Sequence, residues 1–216
     1  MESKLSVAIL AGGKSQRMGT DKALLQYNGL PFIKIIVEEM KTIASDIAVV
    51  VGKKSKTEFR AILGDNAELI ADDFELDNPM GGMLTAFGWM KNLYVAMLAC
   101  DCPFPNSNAV KFLFAQAIGH SAAIPVWDES KVEPLCAVYN AVESRKAGLE
   151  ALKAGQIGCR HLISHLRDPR YVDISSLRVF DKDLAFLKNI NSKEDYDSLL
   201  KSFKNSAWCR RSSSSN

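Results

Sequence analysis

Short apolar runs alternate along the chain with longer segments of helical periodicity, and this alternation is the feature that most restricts the fold. Several runs are apolar at successive positions, as in strands that are covered by helices on both faces. The predicted strands cover residues 7–11, 47–51, 68–71, 94–99, 122–126 and 132–138. The predicted helices cover residues 31–43, 80–91, 106–118 and 142–153. This order of elements predicts an α/β fold with a mostly parallel central sheet between two layers of helices.

Chain length and composition favour one domain. With 216 residues, 47% of them hydrophobic, the chain has enough apolar material for a single core, which we expect to span residues 1–205. Residues 206–216 end in the run RRSSSSN, which has no apolar side chain to bury. We therefore expect a disordered tail there.

Charge, hydropathy and cysteine content exclude several functions. A net charge of +2, with basic and acidic residues mixed along the chain, provides no broad basic face, so we expect no nucleic-acid partner. No apolar run approaches the roughly 18 residues of a membrane span, and the first residues do not resemble a signal peptide. We therefore expect a cytoplasmic protein without a membrane partner. The five cysteines include no CxxC pair, which argues against a disulfide framework or a cysteine zinc site.

The first predicted strand leads into a loop that is rich in glycine and positive charge. Residues 7–25 read VAILAGGKSQRMGTDKALL, with adjacent glycines followed by Lys14, Arg17 and Lys22. Such a loop presents backbone N–H groups and cations, and it therefore predicts a phosphate site. The signature GxxxxGK[ST] fails because Ala8 stands where its first glycine belongs, and GxGxxG fails because Lys14 replaces its second glycine. A solvated turn without a ligand is the alternative.

Residues 10–25, LAGGKSQRMGTDKALL, resemble the signature loop LAxGxxxRMGxxK of nucleotidyltransferases. The resemblance implies a Rossmann-like, three-layer nucleotidyltransferase fold in which this loop wraps a nucleoside triphosphate. It implies nucleotide contacts for Leu10, Ala11, Gly12 and Gly13. It also implies that Arg17 and Lys22 are catalytic, since both would neutralise phosphate oxygens, and that Lys22 binds the nucleotide.

A second glycine loop narrows the resemblance to the molybdenum cofactor guanylyltransferases. Residues 69–87 read LIADDFELDNPMGGMLTAF, and NPMGGM is similar to the GPLAGM loop of that group, with Asn78 in place of the first glycine. The resemblance implies nucleotide contacts for Asp72, Gly81 and Gly82. Asp73 is the alternative to Asp72, because it stands beside it. Relatives that use CTP tend to have LAAG in the first loop and lack the Gly-Met ending of the second loop, so both loops favour guanine.

Asp101 follows the predicted strand 94–99 in the run YVAMLACDCPF. Open α/β sheets place their ligands at the C-terminal ends of the strands. The resemblance makes Asp101 the metal aspartate, a catalytic and nucleotide-binding residue that holds Mg²⁺, a cation that prefers oxygen ligands. An aspartate that caps the turn at Pro103 is the alternative. We interpret Cys100 and Cys102 as packing residues, because strand alternation turns them away from Asp101.

A third stretch matches the acceptor side of the same family. Residues 132–140 read VEPLCAVYN and are similar to the family's strand Glu/His-Pro-Leu-x-Ala, which lies near the pterin side of the cleft. The resemblance implies acceptor contacts for Glu133 and Pro134. The alternative is that both residues only begin a strand.

The last motif is KNINSKEDY, residues 188–196, which is similar to the family pattern NxNTPEDL. The resemblance implies acceptor contacts for Asn189 and Asn191, and a structural turn is the alternative for both. Ser192 is explained without any ligand, as the N-cap of a following helix.

Together the motifs imply a reaction. GMP is transferred from Mg-GTP to the terminal phosphate of molybdopterin, in its free or metal-loaded form, and pyrophosphate is released. The implied partners are GTP and molybdopterin as substrates, together with proteins of molybdenum cofactor biosynthesis and molybdoenzyme maturation. The alternatives are a cytidylyltransferase or sugar-1-phosphate nucleotidyltransferase of the same fold, or a GTP-binding protein without turnover.

Overall fold

Strands and helices alternate along the chain in the computed structural model, which describes residues 4–11, 21–52, 56–74, 76–128 and 131–202. The strands are β1 (Leu5–Leu10), β2 (Gln26–Tyr27), β3 (Leu30–Pro31), β4 (Asp46–Val51), β5 (Glu68–Ala71), β6 (Tyr94–Ala99), β7 (Ala122–Asp128), β8 (Lys131–Val132), β9 (Cys136–Asn140) and β10 (Pro169–Asp173). The helices are α1 (Phe32–Met40), α2 (Lys56–Leu63), α3 (Pro79–Trp89), α4 (Ser107–Ala117), α5 (Ala141–Lys153), α6 (Cys159–Ser164) and α7 (Lys193–Ser202). Three 3₁₀ turns cover Lys22–Leu24, Ile174–Val179 and Ala185–Leu187. None of the helices in these ranges is long and apolar enough to cross a membrane.

Eight strands form one sheet, in the spatial order β10-β7-β9-β6-β1-β4-β5, with β8 paired to β7. β1 is parallel to both β4 and β6, β4 is parallel to β5, and β10 is parallel to β7. β9 runs antiparallel between β6 and β7. The sheet is therefore mostly parallel, as predicted, and its direction is interrupted at β9.

Alternate residues of β1 enter two different cores. Val7 and Ile9 belong to an apolar cluster that includes buried residues of α1, α2 and α4. Ala8 and Leu10 belong to a second cluster, built with α3, α5 and α6. Because successive side chains of a strand point to opposite faces, helices cover both faces of the sheet. The predicted three-layer α/β fold is confirmed.

The predicted strand 132–138 is wrong, because the chain makes a turn inside it. β8 ends at Val132 and β9 begins at Cys136. Between them stands Pro134, which has no N–H group to contribute to a ladder. Glu133 still donates its N–H to the carbonyl of Pro125 at 2.9 Å, so pairing stops just before the proline.

α7 returns the end of the described chain to the first half of the fold. Ile190, which precedes it, is buried with Tyr27 and Phe32 in a third apolar cluster. The hydroxyl of Tyr196 donates to the carbonyl of Gln26, and its ring lies 6.1 Å from that of Phe32. These contacts hold α7 and the residue before it against β2 and the start of α1. The predicted tail, residues 206–216, lies outside the described residues, and the domain extent 1–205 stays a prediction.

Candidate active site

The C-terminal ends of parallel strands meet at one edge of the sheet, and predicted site residues follow three of them. Leu10, the last residue of β1, lies between β4 and β6. The N–H of Ala11 continues the ladder by donating to the carbonyl of Val50 at 2.9 Å. Asp72 follows β5 directly, and Asp101 lies two residues beyond β6. Open α/β sheets bind their ligands at this edge.

Lys22 and Asp101 form an ion pair at the same edge. Lys22 Nζ lies 3.1 Å from Asp101 Oδ2, and each side chain is 21% exposed. Lys22 opens a 3₁₀ turn that Asp21 caps by accepting from the N–H of Ala23 at 3.1 Å. In the part of the chain that the structure describes, the Asp101 carboxylate hydrogen-bonds only to Lys22, so the alternative role of capping the turn at Pro103 has no hydrogen bond to support it.

Residues 189–191, here called the C-terminal strap, lie against both groups. Asn191 Oδ1 accepts from Lys22 Nζ at 2.7 Å. The N–H of Ile190 donates to the carbonyl of Asp101 at 2.8 Å. The structure therefore brings Lys22 and Asp101 together with a segment that the sequence predicts on the acceptor side.

Cys102 also contacts the C-terminal strap, which corrects the prediction that it only packs. Its thiol donates to Asn189 Oδ1 at 2.6 Å, whereas Cys100 is buried in the core as predicted. Burial, and then the negative charge of Asp101, raise the pKa of the Cys102 thiol well above its ordinary value, so the sulfur keeps the proton that it donates. Strand alternation does not apply to Cys102, because β6 ends at Ala99.

A capping box at the start of α7 holds the strap in place. Ser192 Oγ accepts from the N–H of Asp195 at 3.1 Å, which confirms the predicted N-cap. In return, Asp195 Oδ2 accepts from the N–H groups of Asn191 and Ser192 at 2.9 and 2.8 Å. These bonds, first that from Asn191, lower the pKa of the Asp195 carboxyl.

Because the pKa of Asp195 is lowered, the contribution of this cap to stability depends on pH. Since folding lowers this pKa, the ionised cap stabilises the fold above the ordinary aspartate pKa of about 3.9, and this contribution is lost as the pH falls through the lower folded-state pKa. In an NMR titration we expect the amide signals of Asn191 and Ser192 to change with a midpoint below about 3.9. Asp195→Ala should remove this transition, whereas Asp173→Ala, at another cap with a lowered pKa, should leave it. A midpoint at or above the ordinary value would contradict the cap.

Asp72 is oriented by Thr85 of α3. Thr85 Oγ1 donates to Asp72 Oδ1 at 2.9 Å, and the N–H of Phe74 donates to the same oxygen at 2.9 Å. Thr85 also accepts from the N–H of Asp73 at 2.9 Å. Asp72 is partly buried and held by these hydrogen bonds, while Asp73 is exposed. Of the two aspartates, the geometry therefore favours Asp72 as the predicted nucleotide contact. Sequence reasoning missed Thr85, although a lone hydroxyl in the apolar helix PMGGMLTAFGW is a usable signal.

Gly81 and Gly82 allow α3 to approach the ends of β5 and β1. A Cβ at Gly81 would lie 3.2 Å from Asp72 Oδ2, and one at Gly82 would lie 3.2 Å from Leu10 Cδ2. Asn78 caps this helix by accepting a backbone N–H at 2.9 Å, which explains how it can replace a loop glycine. Close packing thus accounts for both glycines, and their contact with a nucleotide stays a prediction.

Glu133 and Pro134 form the connection between β8 and β9. Glu133 Oε1 accepts from the indole N–H of Trp127, and Lys131 Nζ lies 4.5 Å from the centre of the same indole ring. The carbonyl of Pro134 accepts from the hydroxyl of Tyr139 at 2.8 Å. The two residues therefore belong to a turn that hydrogen bonds from Trp127 and Tyr139 stabilise.

The Glu133 carboxylate affects the pKa of two cysteine thiols, Cys136 and Cys102. Burial raises the pKa of the Cys136 thiol to about 12, and the Glu133 carboxylate contributes to that rise. Glu133 also contributes to the raised pKa of Cys102, which contacts Asn189.

A single carboxylate, that of Asp101, is suited to hold Mg²⁺ here. Within the described residues, no group of three or more His, Cys, Asp and Glu side chains could hold a metal ion. Mg²⁺ is commonly bound by one or two carboxylates together with substrate phosphates, and Asp101 beside Lys22 fits that mode. The predicted site residues Gly12, Gly13 and Arg17 lie outside the described residues.

Comparisons with known proteins show the family of the chain. A family model described as the MobA-like NTP transferase domain matches residues 7–169. A probable molybdenum cofactor guanylyltransferase from Methanosarcina mazei is 30% identical over 204 residues, which cover 90% of this chain and 89% of the relative. Another from Methanothermobacter thermautotrophicus is 32% identical over 195 residues, which cover 88% of this chain and 96% of the relative.

The fold is also that of a solved structure, described as molybdopterin-guanine dinucleotide biosynthesis protein A from Archaeoglobus fulgidus. The two superpose with a TM-score of 0.76 at 24% identity, over 91% of this chain and 97% of the other. This similarity establishes the fold, while the family model covers more than half of the chain, including Lys22, Asp72 and Asp101. The chain therefore belongs to the MobA-like NTP transferase family and is a nucleotidyltransferase.

Proposed function

We propose that this nucleotidyltransferase transfers GMP from GTP to the terminal phosphate of molybdopterin, in its free or metal-loaded form, and releases pyrophosphate. The names of the two relatives support these substrates. The observation that carries the chemistry is the Lys22 ammonium held 3.1 Å from the Asp101 carboxylate at the C-terminal edge of the sheet. In the proposal, the ammonium is the cation for phosphate and the carboxylate is the oxygen ligand for a hard metal.

The proposed reaction exchanges one phosphoanhydride bond for another. An oxygen of the acceptor phosphate attacks the α-phosphorus of GTP, and a new P–O bond forms as the bond to the β-phosphate breaks. Pyrophosphate leaves with the electron pair. Because the acceptor phosphate is already ionised at neutral pH, no general base is needed, and the protein has to align the reactants and neutralise charge.

In the proposal, different residues at the sheet edge contact the phosphates, the nucleotide and the acceptor. Lys22, together with Arg17, neutralises the β- and γ-phosphates, and Asp101 would hold Mg²⁺, which when bound would supply further positive charge to stabilise the phosphates. The nucleotide is positioned by Leu10, Ala11, Gly12, Gly13, Asp72, Gly81 and Gly82. The acceptor is contacted by Glu133, Pro134, Asn189 and Asn191. Proteins that make molybdopterin and mature molybdoenzymes are the proposed partners on either side of the reaction.

A panel of nucleotides tests the proposal. ATP, GTP, CTP and UTP, each with Mg²⁺, are titrated into the protein by calorimetry. We expect GTP to bind at least about tenfold more tightly than the others, as one base-specific hydrogen bond would give. Pyrophosphate release from GTP should then require molybdopterin. A preference for CTP would overturn the guanine assignment, and GTP binding without pyrophosphate release would indicate a binding protein without turnover.

A further inference from the structure

The side-chain amide of Asn191 has a fixed orientation. Its oxygen lies 2.7 Å from Lys22 Nζ. An ammonium only donates hydrogen bonds, so the amide oxygen, and not the NH₂ group, must face Lys22. The NH₂ group has no partner within the described residues, and it stays available for the acceptor contact that the sequence predicts.

Lys22 is held between two acceptors of different charge. The carboxylate of Asp101 lies 3.1 Å from its ammonium, and the neutral amide oxygen of Asn191 lies closer, at 2.7 Å. A carboxylate alone leaves the ammonium of a flexible lysine side chain free to adopt several positions around its two oxygens. The amide oxygen of Asn191 is a second acceptor, which restricts the position of the ammonium without adding another negative charge beside it. Asn191 thus fixes the place where the Lys22 ammonium can meet an anion.

Asn191 is itself held rigidly enough to position another group. Its N–H donates to Asp195 Oδ2 at 2.9 Å, and the preceding Ile190 is 6% exposed and bonded through its N–H to the carbonyl of Asp101 at 2.8 Å. Both Asn191 and Asp101 are therefore anchored to the same short stretch of backbone. The distance between the two acceptors of Lys22 is fixed by the fold.

We propose that Asn191 is a positioning residue, which holds the Lys22 ammonium beside Asp101 in the geometry that receives a triphosphate. It acts through Lys22, in addition to any contact of its NH₂ group with the acceptor. This inference rests on the proposed function in one respect, that the ligand of Lys22 is a nucleoside triphosphate. It does not depend on which base the nucleotide carries.

Asn191→Ala tests the inference when it is compared with a matched control, Asn66→Ala. Asn66 Oδ1 accepts from Lys41 Nζ at the same distance, 2.7 Å, outside the candidate site. Calorimetry with GTP and Mg²⁺, without molybdopterin, should show about fivefold to tenfold weaker binding for Asn191→Ala, as expected for losing an exposed hydrogen bond to a charged group. Asn66→Ala should bind as the unmodified protein does. In a Lys22→Ala background, Asn191→Ala should cause no further loss, because its effect passes through Lys22.

Undiminished GTP binding by Asn191→Ala would overturn the inference and leave Asn191 as an acceptor contact alone. If the unmodified protein binds another triphosphate and not GTP, the guanine assignment fails, and the same comparison is made with that nucleotide. If it binds none, the proposed function fails, and with it the triphosphate as the ligand of Lys22. The NMR signals of the Asn191 side-chain NH₂ group then test the remaining part of the inference, that Asn191 positions Lys22. Lys22→Ala should shift these signals and Lys41→Ala should not; unshifted signals in Lys22→Ala would overturn it.

Discussion

Asp101→Asn should lower the rate of pyrophosphate release about 10²- to 10³-fold, because the loss of one preorganised electrostatic contact in a transition state costs roughly 2.7–4 kcal/mol. The substitution keeps the shape of the side chain but removes the charge that pairs with Lys22 at 3.1 Å and would hold Mg²⁺. The rate is measured with GTP, Mg²⁺ and molybdopterin at saturation, so that weaker binding does not hide the effect on the chemical step.

Asp168→Asn is the control for Asp101→Asn. Asp168 Oδ2 lies 2.8 Å from His120 Nδ1, so this residue too is a carboxylate paired with a basic side chain, but it precedes β10 and lies outside the candidate site. It should retain its activity. Both variants should melt within a few degrees of the unmodified protein, since partly exposed ion pairs contribute only about 0–1 kcal/mol. Full activity in Asp101→Asn would remove this residue from the mechanism.

Lys22→Ala should lower kcat/KM for GTP about 10²-fold, as expected for one charged contact to the phosphates. Calorimetry with GTP and Mg²⁺ should show weaker binding as well, because the binding site of this variant lacks one of the cations that would contact the triphosphate. Lys41→Ala is a close match for comparison, since Lys41 Nζ contacts an amide oxygen of Asn66 at 2.7 Å and a carboxylate oxygen of Glu38 at 3.6 Å. Equal losses in both variants would mean that Lys22 has no special role toward phosphate.

The positions of the strands along the chain could be predicted because helices cover both faces of the sheet. Strands buried on both faces are apolar throughout, and such runs stand out in the sequence. β10 escaped prediction for the opposite reason, since it lies at the sheet edge and only Val172 of its five residues is buried. Pro134 broke a strand that looked continuous, because the apolar pattern resumes at once after the turn.

Part of the candidate site followed from topology. Parallel strands bring their C-terminal ends together, so a residue that follows β1 and one that follows β6 had to be close. The contact between Lys22 and Asn191 could not be derived this way, because 169 positions separate the two residues and their proximity depends on how α7 packs against Phe32 and Gln26. The role of Cys102 was missed for a related reason, since strand alternation was extended past the end of the strand.

The position of the C-terminal strap in the chain also determines when, during synthesis, the surroundings of Lys22 are completed. A chain is synthesised from its N-terminus at roughly 5–20 residues per second, so the 169 positions from Lys22 to Asn191 take about 8–34 s to make. Throughout that interval Lys22 has left the ribosome's catalytic centre, and the amide that completes its surroundings does not yet exist. A nascent chain therefore carries Lys22 long before that lysine has its final neighbour, and the contact between the two side chains can form only after Asn191 has been made.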